Sequence, residues 1–183
     1  QLALGSAWVI SLARGMADAA RDLGVYVCGG NLTRGPPHLA VSAHGEIEHQ
    51  CLLRRSGGQA GQQLSVTGRL GAAAACVRTG QMLPVDPAVL TPLQSAYYRP
   101  QARFDVLAMV ETASAGLDIS DGLSQDLAHL CAASGCGAAL QAASIPLAAG
   151  ATLEDALFGG DDYELLVASD KPLPGAHTIG MLT

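Results

Sequence analysis

Two short runs concentrate the carboxylates of this 183-residue chain, Asp118-Ile119-Ser120-Asp121-Gly122 and Gly159-Gly160-Asp161-Asp162-Tyr163-Glu164. Each lies where an apolar run gives way to glycine. That is how a protein holds carboxylates at element ends beside an anionic ligand and its metal ions. Half of the 16 acidic residues fall between Asp118 and Glu164. Carboxylates gathered this closely repel one another unless a cation sits among them. The chemistry indicated is phosphate handling with magnesium. Plainer readings exist for each run: Ser120 or Asp121 capping the following helix, and a solvated acidic loop at 159–164. Capping leaves Asp118 unexplained, and a helix N-terminus is itself a place where phosphate binds.

Other groups can be set beside these. Gly29-Gly30-Asn31-Leu32-Thr33-Arg34-Gly35 reads as a turn or as a close backbone approach to a phosphate or metal. Arg55 is either a surface charge or a phosphate or nucleotide contact. Lys171 is the single lysine, so a Walker-type Gly-Lys-Ser loop is excluded. Any polyphosphate must then be neutralised by metal ions or by arginines. His129, inside a leucine-rich helical pattern, reads as a structural or surface histidine. No Ser-His-Asp or Cys-His arrangement is evident. The five cysteines are odd in number and contain no Cys-x-x-Cys, which favours buried free thiols in a reducing cytosol over zinc or disulfides.

The elements that must position these groups follow from periodicity. Trp8, Leu12, Met16, Ala19 and Leu23 stripe an amphipathic helix stopped by Gly24. Val25–Cys28 reads as a short buried strand, and His38–Ile47 is strand-like. Arg54–Gly61 is a glycine-rich linker. A domain boundary is placed near residue 50, giving domains 1–50 and 51–183. Beyond it come a strand at Leu64–Thr67, an alanine-rich helix at Gly71–Gly80, and a proline-punctuated connection with one more helix between Pro84 and Pro100. A helix is predicted from Phe104 to Thr112 and a strand from Leu117 to Ser120. The next helix carries a Leu123, Leu127, Leu130 and Cys131 stripe and ends at Gly135, and further strands fall at Gly137–Leu140 and Leu165–Val167. If Leu117 and Ile119 face the core, Asp118 and Ser120 face away from it. Several strand pairs lack a crossover helix long enough for a regular parallel sheet, so a mixed α+β fold follows.

With 49% hydrophobic and 14% charged residues, the chain has the composition of a globular protein. A net charge of −6 and pI near 5.2 argue against nucleic acid as a partner. No stretch approaches the roughly 18 apolar residues that span a bilayer. No secretory signal is seen, so the expected setting is cytoplasmic without a membrane partner. Both ends read as cut from something longer.

Leu117-Asp-Ile-Ser-Asp-Gly-Leu123, Asp126-Leu-Ala-His129, Ala133-Ser-Gly-Cys-Gly-Ala138 and Gly159-Gly-Asp-Asp-Tyr-Glu-Leu165 together closely resemble the thiamine-monophosphate kinase family. That family belongs to the aminoimidazole ribonucleotide synthase superfamily. The resemblance extends through Gly29-Gly-Asn-Leu-Thr-Arg34, Arg55-Ser-Gly57, Val66-Thr-Gly68 and Ile179-Gly-Met181. It implies a two-domain α+β fold of the aminoimidazole ribonucleotide synthase type, with the N-terminal ATP- and metal-binding domain only partly present.

The activity so implied is ATP-dependent phosphorylation of thiamine monophosphate to thiamine diphosphate, by direct in-line transfer with Mg²⁺. Such transfer needs positioning and charge neutralisation and no covalent nucleophile. The resemblance makes Asp118 and Asp121 Mg²⁺ ligands. It places Gly30, Asn31, Arg55 and Ser120 at the ATP site, Asp161 against the thiamine substrate, and the protein in a homodimer. Asn31 stands where the family has a metal-binding Asp, Gln62 replaces the linker Asp, and Ala72 replaces another frequent Asp. The chain taken alone is expected to be inactive. Alternatives are another superfamily activity, of the selenophosphate synthetase or hydrogenase-maturation type, or a non-catalytic nucleotide-binding remnant. Tyr163 favours the kinase.

Overall fold

The computed structural model describes residues 5–83, 88–106 and 111–183. The chain divides into two compact units, one ending at Glu46 and the other running from Ile47 to Thr183.

The first unit opens with α1, Ser6–Asp22, which has no buried residue. Its end is closed by the Val25 N–H donating to the Ala20 carbonyl at 2.9 Å, with Gly24 at φ 65°. The chain then continues without helix or strand to Glu48. Val25–Cys28, expected as a buried strand, is exposed and unpaired, with Tyr26 94% accessible. His38–Ile47 is likewise outside any ladder. β-rich composition marks a segment able to enter a sheet, but a strand forms only against a partner, and none of the described residues supplies one.

The second unit is built on a five-stranded sheet of β1 (Gln63–Val66), β2 (Ala115–Asp118), β3 (Ala138–Leu140), β4 (Leu165–Ser169) and β5 (His177–Leu182). The order is β2-β4-β1-β5-β3 and every pairing is antiparallel, in agreement with the α+β expectation. Helices α2 (Ala72–Arg78), α3 (Pro92–Tyr98), α4 (Leu123–Ser134) and α5 (Leu153–Phe158) complete it. The leucine stripe of α4 is buried as predicted: Leu123, Leu127 and Leu130 pack with Leu64, Val66, Leu117, Ile119, Leu166, Ile179 and Leu182 in one core. Each such side chain contributes about 1.5–3 kcal/mol by leaving water. Gly135, at φ 69°, ends α4 where expected. The helix expected from Phe104 to Thr112 appears as a 3₁₀ turn at Phe104–Val106, and residues 107–110 lie outside the described residues.

The glycine-rich run at Arg54–Gly61 is not a free linker. The Gly116 N–H donates to the Arg54 carbonyl at 2.8 Å, and the Ser134 hydroxyl to the Arg55 carbonyl at 3.0 Å. Gly58 and Gly61 donate in turn to the Ser134 hydroxyl and the Leu182 carbonyl. Small residues here permit close backbone packing rather than flexibility. No helix among the described residues is long and apolar enough to cross a membrane.

Candidate active site

Sheet register brings the two acidic runs together. β2 and β4 are antiparallel neighbours with Asp118 opposite Leu165, so the residues that follow β2 must lie beside those that precede β4. The ladder continues beyond both strands. Ile119 N–H donates to the Glu164 carbonyl at 2.7 Å, Tyr163 N–H to Ile119 at 2.8 Å, and Asp161 N–H to Ser120 at 2.9 Å. The expected alternation holds, with Leu117 and Ile119 buried, Asp118 exposed and Ser120 half-buried.

The turn after β2 is fixed by a residue whose role the sequence did not disclose. Asp126, 2% exposed, reaches back from α4 and accepts the Ser120 and Asp121 backbone N–H groups, both at 2.9 Å, on Oδ2. It thereby satisfies amides that would otherwise be orphaned ahead of the helix. Asp121 stays exposed, and its Oδ2 accepts from Gln125 at 3.1 Å. Asp126 Oδ1 lies 3.8 Å from His129 Nδ1. One ligand atom each from Asp121, Asp126 and His129 lies within 4.8 Å of the others. The exposed carboxylates of Asp118 and Asp121 are hard oxygen donors, the chemistry that Mg²⁺ prefers.

Within the second run, alternate side chains part. Asp161 and Tyr163 are exposed, and the Tyr163 hydroxyl donates to Asp161 Oδ1 at 2.9 Å. That bond, then burial, then the Asp161 and Asp118 charges hold the Tyr163 phenol above its ordinary range. Asp162 turns the other way and accepts the Gly71 N–H at 2.8 Å and 3.1 Å. Burial, with the nearby Glu164 and Asp161 charges, pushes its carboxyl up to about 7 against the pull of the Gly71 and Ala72 amides. Glu164 accepts from Thr67 at 2.6 Å and pairs with Arg103. Beside Asp161, an open groove of about 310 Å³ is bounded by Ala74, Val77, Arg78, Tyr97 and Gly160. Arg78 forks onto Asp155 of α5 and, with the Thr152 cap, holds that buried carboxylate at about 2.

With this geometry in hand, known proteins of the same pattern can be compared. Residues 1–47 match the family "AIR synthase related protein, N-terminal domain". Thiamine-monophosphate kinase of Escherichia coli K12 is 32% identical over 96% of this chain and 57% of its own length. The Salmonella typhimurium enzyme is 36% identical over 77% of this chain and 47% of its own. The chain is a homologue of the thiamine-monophosphate kinases. It spans about half the length of these curated relatives. The Stenotrophomonas maltophilia kinase structure superposes with TM-score 0.82 at 27% identity, over 99% of this chain and 66% of that one. A structure described as AaThiL complexed with AMPPCP and TMP gives TM-score 0.82 at 26% identity, over 99% and 63%. Escherichia coli HypE, at 18% identity and TM-score 0.69, shares the fold, which is of the AIR synthase type.

Set against this kinase homology, the predicted residues fall into three places. Asp118, Ser120, Asp121 and Asp161 are gathered by the β2–β4 register. Arg55 is exposed, with its carbonyl at the C-terminal end of α4. At 1.5 Å per residue this is roughly 17 Å along the helix from its N-terminal end, where Asp121 lies. Gly30 and Asn31 are exposed in the first unit. Gln62, which stands where the family resemblance leads one to expect Asp, is 5% exposed and donates to Ser114 at 2.7 Å and Asp170 at 2.9 Å, so its amide is used structurally. Asp126 and Asp162 stand in the sequence motifs without the roles they have here, whereas Asp155 and Arg103 are site-building residues that sequence reasoning missed.

Proposed function

We propose that this protein phosphorylates thiamine monophosphate to thiamine diphosphate with ATP, by direct in-line transfer. The observation that carries the reading is the β2–β4 register, which sets Asp118, Ser120 and Asp121 against Asp161 and Tyr163. Relatives with that activity, and the one solved with AMPPCP and TMP, support it.

In this reading Asp118 and Asp121 hold Mg²⁺, with Asn31 as a neutral oxygen ligand where a carboxylate is usual. Bound Mg²⁺ would neutralise charge on the phosphate oxygens during transfer. Ser120, Gly30, Asn31 and Arg55 contact ATP. Asp161, oriented by the Tyr163 hydroxyl, faces the thiamine substrate. Asp126 keeps the Ser120 and Asp121 amides in place, so that the exposed carboxylates are presented without reorganisation. No side chain is asked to act as a nucleophile. Residues 1–50 act as part of an ATP- and metal-binding domain and 51–183 as the C-terminal α/β domain. The protein works as a cytoplasmic homodimer.

The test is formation of thiamine diphosphate by the natural full-length protein at varied Mg²⁺. Mg²⁺-dependent product supports the reading. Nucleotide hydrolysis without thiamine diphosphate would point to another superfamily activity. Nucleotide binding without any turnover would point to a non-catalytic nucleotide-binding remnant.

A further inference from the structure

The acidic turn before β4 contains two non-glycine residues in the left-handed region, Asp161 at φ 62° and Tyr163 at φ 53°. Backbone of this kind persists only where its surroundings hold it. On one side the holders are the Ser120 and Ile119 carbonyls, which accept the Asp161 and Tyr163 amides at 2.9 Å and 2.8 Å. On the other side the holder is the Asp162 side chain. Both of its oxygens accept the Gly71 N–H, at 2.8 Å and 3.1 Å, and the Ala72 amide joins them.

Gly71 is a firm anchor for that clasp. It sits at φ 86°, and a Cβ there would meet the Ala156 nitrogen and the Asp155 Cβ at 3.0 Å. Asp155 in turn is locked by Arg78 and by the Thr152 capping box. A displaced turn therefore cannot take Gly71 with it. The clasp also works against electrostatics, since Asp162 is partly buried beside the Glu164 and Asp161 carboxylates. A neutral or solvated residue would be the cheaper choice for an ordinary loop.

We propose that Asp162 is a positioning residue: by clasping the β1–α2 connection it fixes the Asp161–Tyr163 pair and thereby the affinity for the phosphate acceptor. This rests on the reading of Asp161 as the acceptor contact. The groups facing Asp162 are the Gly71 and Ala72 amides, the carboxylates of Asp161 and Glu164, and the Arg69 and Arg99 side chains that line the adjoining groove.

The experiment compares the natural full-length protein with Asp162→Ala, Asp162→Asn and Asp161→Ala in steady-state kinetics, and adds hydrogen exchange at the Gly71 and Asp161 amides. Asp162→Ala is expected to raise KM for thiamine monophosphate by about tenfold or more while leaving KM for ATP within about twofold. It should also speed exchange at both amides. Asp162→Asn keeps an acceptor oxygen and should return the acceptor KM to within about threefold of the natural value. Should Asp162→Ala not fold, Asp162→Glu reads the same split, because its longer arm displaces the carboxylate. Equal rises in both KM values, no rise at all, or failure of Asn to rescue would overturn the assignment. A natural protein that forms no thiamine diphosphate defeats the functional reading instead. Exchange at the Asp161 amide then still decides the clasp, and an unchanged rate in Asp162→Ala overturns it.

Discussion

The Asp161 amide donates to the Ser120 carbonyl at 2.9 Å, and Gly160 lies against that same carbonyl. The two acidic runs are therefore joined by backbone, with no room between them. A Cβ on Gly160 would collide with the Ser120 oxygen and come within 3.4 Å of the Asp121 Cα. Both obstacles are main chain, which yields less readily than a side-chain tip. Gly160→Ala should cost about 1–3 kcal/mol of stability. It should also separate Asp161 from Asp121 and depress turnover. Urea unfolding of the variant is the check, and a midpoint equal to that of the natural protein would show that the seam opens without strain.

Asp118 ends β2 with its side chain exposed, so its charge is not needed by the core. Asp118→Asn should leave stability within about 1 kcal/mol. If Asp118 holds Mg²⁺, the same change should remove phosphoryl transfer, since a neutral amide is a poorer ligand for a hard cation. Thermal unfolding and thiamine diphosphate formation, measured side by side, separate the two effects. Turnover that survives undiminished would remove Asp118 from the metal site.

Much of this arrangement can be read directly from residue order. The Leu123, Leu127 and Leu130 spacing gives α4 and its buried face, and the alternation of Leu117, Asp118, Ile119 and Ser120 gives the outward carboxylate. What residue order cannot give is partnership. That Asp118 pairs with Leu165 depends on sheet order, which no local pattern encodes. Asp126 looks like one more acidic residue in the first turn of a helix, favoured there by the dipole, until the structure shows it spent on the Ser120 and Asp121 amides. Val25–Cys28 fails in the opposite sense: its composition suits a strand, but the described residues contain nothing for it to pair with. Arg54–Gly61 has the composition of a linker and the hydrogen bonds of a packed segment.

Asn31 offers a test of the first unit. Its side chain is exposed and presents a neutral oxygen where the family resemblance leads one to expect a carboxylate. Asn31→Asp should lower the Mg²⁺ concentration needed for half-maximal ATP binding or activity, because added ligand charge strengthens the site. A Mg²⁺ titration followed by nucleotide binding reads this directly. An unaltered Mg²⁺ requirement would place Asn31 outside the metal shell.

The Asp162 carboxyl gives stability a pH dependence of definite sign. Burial raises it to about 7 in the folded protein, whereas in the unfolded chain it titrates near an ordinary Asp value of about 3.9. Between those values the folded state keeps a proton that the unfolded chain has released. The stabilisation it contributes is complete below about pH 4 and is lost as pH rises to about 7. Asp162→Asn is neutral throughout and lacks that loss. Relative to the natural protein it should gain stability progressively from about pH 4 to 7, then hold level, by up to about 2 kcal/mol once partial solvent exposure is discounted. Asp155, held at about 2 by Arg78 and Thr152, titrates identically in both proteins and cancels from the difference. Urea midpoints of the pair at intervals across this range supply the measurement. Parallel curves would mean that Asp162 titrates like an ordinary surface carboxylate, and a difference of opposite sign would mean that its ionised form is the one the fold prefers.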